Sequence, residues 1–165
     1  MNEKIKSLEE LMLIREKARD EGRRVVWTNG CYDILHAGHV LYLEKARRLG
    51  DLLFVGLNSD LSIRSSKGPL RPIVLEDERA IVISALSCVD YVIIFHEDSP
   101  VNIIRALKPD IYAKGGDYTI DTIDQGERRL VESYGGEIAL LPGVEGNSTT
   151  AVINRILRAY TKPNS

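Results

Sequence analysis

Two histidines, His36 and His39, stand three residues apart in a stretch that begins at Thr28. Side chains at this spacing project from one face of a helical turn. A helix start offers unpaired backbone N–H groups and the positive end of a dipole, and two imidazoles beside it suit a phosphoryl group on which negative charge develops. We therefore interpret His36 and His39 as candidate catalytic residues for phosphoryl chemistry.

The neighbouring elements place these histidines at a strand-to-helix junction. The apolar segment 25–27 is typical of a short buried parallel strand, and residues 40–49 have the pattern of an amphipathic helix that ends at Gly50. Open α/β sheets bind ligands at such carboxyl ends of strands. Gly30 and Gly38 lack side chains where a ligand could approach the backbone.

Three other interpretations of the same stretch are open. A core histidine and a capping histidine on an ordinary turn are the simplest. Cys31, His36 and His39 could hold zinc, but a fourth ligand at standard spacing is missing. Cys31 could also be a nucleophile that a histidine activates and Asp33 orients. The last two do not explain the lysine loop and the Ser-Thr-Thr segment further along the chain.

The run from Gly30 to His39 reads Gly-Cys-Tyr-Asp-Ile-Leu-His-Ala-Gly-His. It resembles the G-x-F-D-x-x-H-x-G-H signature of the cytidylyltransferase-like nucleotidyltransferases, with Tyr32 in place of the common Phe. The resemblance implies that Asp33 contacts the second substrate. It also implies nucleotide contacts from Asn29, Gly30, Cys31, Tyr32 and Gly38.

Length and composition limit the possible domain organisation, partners and location of the protein. The 165 residues are 44% hydrophobic and 28% charged, with a formal net charge of −2. We expect one domain: an N-terminal helix over 1–23, an α/β core over 24–160 and a tail over 161–165. The charge balance argues against nucleic-acid and anionic-membrane partners. With no spanning or signal segment, and with Cys31 and Cys88 expected as free thiols, a cytoplasmic location follows.

Strand and helix patterns alternate along the chain, which predicts an α/β fold with a single Rossmann-like, doubly wound, five-stranded parallel sheet. Four loops, 28–39, 58–72, 114–121 and 143–150, then meet at one sheet edge. Residues 62–72 are polar and contain two X-Pro breakers, which predicts a mobile flap. The helix over 76–87 is expected to bury Ile81, Val82, Ala85 and Leu86.

Two cations near the predicted flap are candidates for phosphate contacts. Lys67 lies within it, and a loop cation that folds over a polyphosphate is a common catalytic device, although most surface lysines are simply solvated. Arg79 lies early in a helix, where the dipole disfavours a cation. Related cytidylyltransferases have a similar arginine, so we interpret Arg79 as a nucleotide contact.

The loop 143–150 precedes the last predicted helix. A helix start needs one capping hydroxyl, and this one has three in a row, so phosphate binding competes with simple capping. The stretch also resembles the second motif of the family, a loop that wraps the nucleotide. The nucleotide contacts that this implies are Gly143, Gly146, Asn147, Ser148, Thr149 and Thr150.

Lys114-Gly115-Gly116-Asp117-Tyr118 follows the fourth predicted strand. A tight glycine turn explains it structurally. Together with the histidine run and the Asn-Ser-Thr-Thr segment, it resembles the heptose 1-phosphate adenylyltransferases of lipopolysaccharide-core assembly, over roughly residues 25–157. The candidate substrate contacts are Lys114, Gly115, Asp117 and, more remotely, His96.

The resemblance implies that ATP and a sugar 1-phosphate react to give an ADP-sugar and pyrophosphate, with Mg²⁺ held by the phosphates and not by a protein metal site. Glycerol 3-phosphate cytidylyltransferase, FAD synthetase and a non-catalytic nucleotide-binding regulator are the alternatives. A homodimer is a family-level expectation. In many bacteria this domain is fused to a sugar kinase, so functional pairing with a separate heptose kinase is a further expectation.

Overall fold

The computed structural model describes residues 3–116, 118–143 and 148–161. Strands and helices alternate along these ranges, as the sequence predicted. The strands are β1 (Val25–Gly30), β2 (Leu52–Asn58), β3 (Tyr91–Phe95), β4 (Ile111–Gly115) and β5 (Glu137–Leu141). The helices are α1 (Leu8–Asp20), α2 (Ala37–Arg47), α3 (Asp60–Lys67), α4 (Glu76–Ser84), α5 (Val101–Leu107), α6 (Gln125–Ser133) and α7 (Thr149–Tyr160). None of the described helices has the length and apolar character needed to cross a bilayer.

The five strands form one parallel sheet in the order β3-β2-β1-β4-β5. From the central β1, the chain builds outward to β2 and β3 on one side and then to β4 and β5 on the other. The order therefore reverses between β1 and β4, and a crevice opens there at the carboxyl ends of the strands. The predicted doubly wound, five-stranded parallel sheet is confirmed.

The strands are apolar because helices cover both faces of the sheet. Trp27 on β1 packs in one core cluster with Leu11 of α1 and Ile104 of α5. Its neighbour Val26 points to the other face and packs with Leu43 of α2. The period of two along a strand thus divides β1 between two cores, and the result is a three-layer sandwich.

The segment 62–72 differs from its prediction. Helix α3 runs through Lys67, so the predicted flap is wrong for residues 62–67, and only 68–75 lack a helix or strand. Ser59 is the N-cap residue of α3, and its side chain accepts a hydrogen bond from Ser62 N at 3.3 Å. Ile63 is fully buried and anchors this short helix, whose other apolar residue, Leu61, is 68% exposed. Two apolar residues only two positions apart give no helical periodicity that the sequence could reveal.

Helix α4 also faces differently from its prediction. Ile81 and Val82 are 56% and 43% exposed, so the prediction that they are buried is wrong. Ala85, also predicted buried, is exposed, whereas Leu86 packs against a core cluster as expected. The inward face carries Arg79 in place of an apolar residue. Because the buried face of α4 contains a charged arginine and the exposed face contains apolar residues, the apolar periodicity of the sequence indicated the wrong face.

Candidate active site

A cavity of about 380 Å³ lies where β1 and β4 end, at the switch point of the sheet. The starts of α2 and α7 complete its wall. Most of the site residues predicted from the sequence line it. The lining residues are Asn29, Gly30, Cys31, Tyr32, His36, Gly38, His39, Tyr42, Lys114, Gly115, Gly116, Tyr118, Gly143, Ser148 and Thr149.

The two histidines lie together at the start of α2. His36 is the N-cap residue, and its side chain makes no capping hydrogen bond. The imidazole rings of His36 and His39 are stacked, with centroids 3.8 Å apart and planes inclined by 24°. The predicted placement on one face of a helical turn is confirmed, and the simpler role of a capping histidine is not what His36 performs here.

Burial changes the protonation of both rings. The pKa of His39 is lowered to about 4, mainly by burial and to a smaller extent by a charge on His36. Burial also lowers the pKa of His36, with a smaller contribution from the charge of Arg155. Both nitrogens of His36 and Nδ1 of His39 are buried and have no hydrogen-bond partner among the described residues. Buried polar atoms without partners at a cavity wall are typical of a ligand site.

Tyr32 packs behind the histidine pair. Its ring meets the ring of His39 edge-on, with centroids 5.2 Å apart. A Cβ atom at Gly30 would lie 3.1 Å from the Tyr32 ring. Gly30 therefore makes room for a protein side chain as well as for the approach of a ligand to the backbone.

The opposite wall is built by the end of β4. Lys114 and Gly115 line the cavity, and a Cβ atom at Gly115 would come within 2.4 Å of the Tyr42 ring, so only glycine fits there. The Tyr42 hydroxyl lies 2.6 Å from Thr28 Oγ1 and donates to the Ala113 carbonyl at 3.0 Å, which ties α2 to β1 and β4.

Sequence reasoning missed Tyr42, Gly116 and Tyr118 as lining residues. A signal for Tyr42 was present, since it follows His39 by three residues on the same helix face. It was overlooked because an aromatic residue in an amphipathic helix normally belongs to the core. Gly116 and Tyr118 stand inside the recognised motif of residues 114–118 and could have been included on that ground.

The start of α7 contributes hydroxyl groups from the third side. Ser148 is the N-cap residue and accepts a hydrogen bond from Ala151 N at 3.1 Å. Ser148 and Thr149 line the cavity, whereas Thr150 is exposed and does not. Capping therefore occupies one of the three hydroxyls that the sequence suggested for phosphate, and Thr149 lines the cavity beside it.

Arg79 lies below the site and not in its wall. Its side chain is fully buried, and Nη2 pairs with Asp60 Oδ1 at 2.7 Å. Nη1 donates to the carbonyls of Cys31 and Asn58, and Nε donates to the Val74 carbonyl. The guanidinium thus joins the histidine stretch, the end of β2, α3 and the loop before α4, and this explains a cation early in α4.

Asp33 is also engaged by the protein. Its fully buried carboxylate pairs with the Arg71 guanidinium and accepts hydrogen bonds from Ile73 N and Val74 N at 2.8 and 2.9 Å. Its oxygens hold the segment 68–75 against the histidine stretch. Asp33 does not line the cavity for which the sequence proposed it.

Lys67 and His96 lie outside the cavity wall. Lys67 is exposed at the end of α3, although its charge acts on Cys31: burial raises the pKa of that thiol, and Lys67 is the strongest of the charges that lower it. His96 is exposed after β3, which β2 separates from β1. Asp117, Gly146 and Asn147 lie outside the described residues.

Within the described ranges, no three histidine, cysteine or acidic side chains form a group that could hold a metal ion. Cys31, His36 and His39 therefore do not form a zinc site of the kind that their spacing allowed. Cys31 and Cys88 are free thiols, as predicted.

A parallel sheet covered by helices on both faces, with a cavity at its switch point, defines the doubly wound α/β class of fold. The family model described as cytidylyltransferase-like matches residues 27–155. The chain belongs to this cytidylyltransferase-like family.

Curated relatives cover nearly all of this chain. The bifunctional protein HldE of Syntrophotalea carbinolica is 56% identical over 157 residues, which make up 95% of this chain and 32% of that protein. The bifunctional protein HldE of Trichlorobacter lovleyi is 56% identical over 158 residues, 96% of this chain and 32% of that protein. The chain thus spans about a third of the length of these relatives.

Solved structures give the same fold. The lipopolysaccharide core biosynthesis protein of Thermoplasma volcanium has a TM-score of 0.61 and 32% identity, over 74% of this chain and 98% of that one. The pantoate-beta-alanine ligase of Francisella tularensis has a TM-score of 0.58 over 93% of this chain and 78% of that one. At 14% identity, this second likeness shows the fold alone.

Proposed function

We propose that the chain transfers the AMP moiety of ATP to a sugar 1-phosphate. The observation that carries this proposal is the cavity that joins the histidine pair, Lys114 and the start of α7. An oxygen of the sugar phosphate attacks the α-phosphorus in line, the bond from the α-phosphorus to the α,β-bridging oxygen breaks, and pyrophosphate leaves. The products are an ADP-sugar and pyrophosphate, and no protein nucleophile is needed.

His36 and His39 stabilise the negative charge that develops on the α-phosphoryl oxygens and on the leaving pyrophosphate. Near neutral pH in the free protein both rings are neutral, because burial lowers their pKa values. Each neutral ring offers one N–H donor, and the bound triphosphate raises the pKa of both and favours uptake of a proton. Lys67 reaches the phosphates from the end of α3.

The start of α7 holds the triphosphate through Ser148 and Thr149, which line the cavity. The β1 end and the following turn contact the nucleotide. Lys114 and Gly115 contact the sugar phosphate, and the same prediction for Asp117 concerns a residue that the structure does not describe. Mg²⁺ bound with the triphosphate would be held mainly by phosphate oxygens and water, and it would neutralise part of the phosphate charge.

We propose D-glycero-β-D-manno-heptose 1-phosphate as the acceptor and ADP-heptose for lipopolysaccharide-core synthesis as the product. The support is the resemblance of residues 114–118 to the heptose adenylyltransferases. The relatives named HldE and the similarity to a lipopolysaccharide core biosynthesis protein add to it. A homodimer and pairing with a separate heptose kinase remain predictions. Light scattering of the protein alone tests the first, and light scattering of the protein mixed with the kinase tests the second.

The test is pyrophosphate release with Mg²⁺, in which ATP and CTP are each combined with the heptose 1-phosphate and with glycerol 3-phosphate. We expect release with ATP and the heptose phosphate alone. Release with CTP and glycerol 3-phosphate would keep the mechanism and overturn the substrate assignment. ATP binding without release from any pair would contradict the proposed activity and favour a nucleotide-binding regulator.

A further inference from the structure

A buried carboxylate lies behind the cavity wall. Glu127 belongs to α6, and its side chain is only 5% exposed. Its Oε1 accepts a hydrogen bond from Ser99 Oγ at 2.8 Å, and its Oε2 accepts one from the Tyr112 hydroxyl. The same Oε2 lies 3.5 Å from Lys114 Nζ. Glu127 does not line the cavity, and the reaction proposed above does not use it.

Lys114 connects this carboxylate to the cavity. It is the one lysine or arginine among the described residues of the cavity wall, and its side chain is 16% exposed. Its ammonium lies 5.2 Å from the centre of the Tyr112 ring and 5.9 Å from that of Tyr118. The two rings and the Glu127 carboxylate therefore limit where the ammonium can lie.

Tyr112 connects the carboxylate to a second cavity residue. Its ring is fully buried, and its hydroxyl donates to Glu127 and lies 3.2 Å from Asn29 Oδ1. Burial, followed by the charge of Glu127, raises the pKa of Tyr112, so the hydroxyl keeps its proton. The Tyr112 hydroxyl therefore links the Glu127 carboxylate to the side-chain amide of Asn29, which lines the cavity.

We propose that Glu127 is a positioning residue of this site, which fixes the Lys114 ammonium directly and the Asn29 amide through Tyr112. A buried carboxylate costs stability unless it is paired, and an apolar side chain often serves a core better. Here the charge holds two ligand-facing groups from behind, and this gives it a function. The assignment of Lys114 to the sugar phosphate rests on the proposed function.

Glu127→Gln is the informative variant, because it keeps the side-chain shape and removes the charge. We expect the KM for the sugar phosphate to rise about tenfold, in the range of couplings between contacting residues, with kcat changed less than about threefold. Glu137→Gln is the matched control. Glu137 is exposed, starts β5 at the far end of the sheet and pairs with Arg24. The KM of the Glu137→Gln variant for the sugar phosphate should stay within about twofold of the parent value.

A double-mutant cycle with Lys114→Ala separates positioning from general loss of structure. If Glu127 acts through Lys114, adding Glu127→Gln to Lys114→Ala should raise the KM less than about twofold further. An unchanged KM in Glu127→Gln would overturn the proposal. So would a double variant whose increase in KM equals the product of the increases in the two single variants. Thermal unfolding of each variant checks that it is folded.

The free protein provides a readout that does not depend on the proposed activity. Glu127→Gln should shift the side-chain amide NMR signals of Asn29 through Tyr112, and Glu137→Gln should leave them in place. Unshifted Asn29 signals would overturn the proposal even if the parent protein released no pyrophosphate. Shifted signals in a protein without turnover would refute the adenylyltransferase assignment and support the role of Glu127.

Discussion

The imidazole rings of His36 and His39 stack with centroids 3.8 Å apart in the wall of one cavity. Two charged rings at this distance would repel each other, and each is already partly removed from water. A doubly charged pair is therefore disfavoured until a ligand supplies negative charge. The stacking of these two rings is the basis for the predictions below on how the protein responds to pH and to substitution of His39.

Removal of one ring tests the catalytic role of the pair. We expect His39→Ala to lower kcat by roughly two orders of magnitude or more, because it removes a donor aimed at charge that develops in the transition state. Calorimetry should find ATP affinity changed only slightly. His96→Ala is the control, since His96 is exposed after β3, outside the cavity. Unchanged turnover in a folded His39→Ala protein would refute the role.

The low pKa of His39 also predicts how stability depends on pH. The unfolded chain binds a proton to His39 near pH 6.5, whereas the folded protein does so near pH 4. Between these values the unfolded state holds more protons, so the free energy of unfolding decreases as the pH is lowered. Above pH 6.5 this contribution to stability is complete. The slope contributed by His39 approaches about 1.4 kcal/mol per pH unit.

Denaturant unfolding of the parent and of His39→Gln, at several pH values between 4 and 7.5, measures this contribution. All other titrating groups are shared, so the difference between the two curves measures the contribution of His39 together with its coupling to His36. We expect the variant to lose less stability on acidification. Parallel curves would show that the folded protein protonates His39 as readily as the unfolded chain does.

The sequence predicted the sheet and the histidine pair because both depend on local patterns. Strand and helix periodicity indicated the alternation of elements, and the spacing of His36 and His39 indicated a shared face. The strand ends then had to meet at one edge of a parallel sheet. For these reasons Lys114 and Ser148, far apart in the chain, could be assigned to the site that the structure shows them to share.

Long-range polar contacts were not predictable in this way. Nothing near Asp33 in the chain indicates that its partners are the backbone N–H groups of Ile73 and Val74, some forty residues away. The same holds for the pairing of Glu127 with Tyr112. Such contacts follow from the path of the chain in three dimensions, and single-sequence patterns carry no record of it.

A substitution of Lys67 tests the predicted flap, which the structure restricts to the segment 68–75. Lys67 ends α3, and the segment 68–75 after it exposes Leu70 at 85% and Ile73 at 57%. We expect Lys67→Ala to slow turnover by about tenfold or more, because the proposed contact between this cation and the phosphates would be lost. ATP should protect residues 68–75 from protease in the parent more than in the variant.

Lys17→Ala is the control, because Lys17 is an exposed residue of α1 that pairs with Glu21. Its turnover should equal that of the parent. If Lys67→Ala also retains full turnover, Lys67 is an ordinary solvated side chain.

A substitution of Arg79 distinguishes the nucleotide contact that the sequence suggested from the structural role that its contacts indicate. The Arg79 guanidinium donates to three backbone carbonyls and to Asp60, and an ammonium cannot reproduce that planar set of donors. We expect Arg79→Lys to lower the free energy of unfolding by roughly 3 kcal/mol, the scale for disrupting a buried charged network. Denaturant unfolding measures this, and calorimetry measures ATP affinity on the same samples.

Arg105→Lys is the matched control, since Arg105 is an exposed arginine bonded to Asn102 within α5. It should change stability by less than about 0.5 kcal/mol. A role in nucleotide contact predicts the opposite result for Arg79→Lys: full stability with weakened ATP binding. The buried side chain and its four protein partners favour lost stability, with any loss of ATP affinity following from displacement of the Cys31 backbone to which Arg79 is bonded.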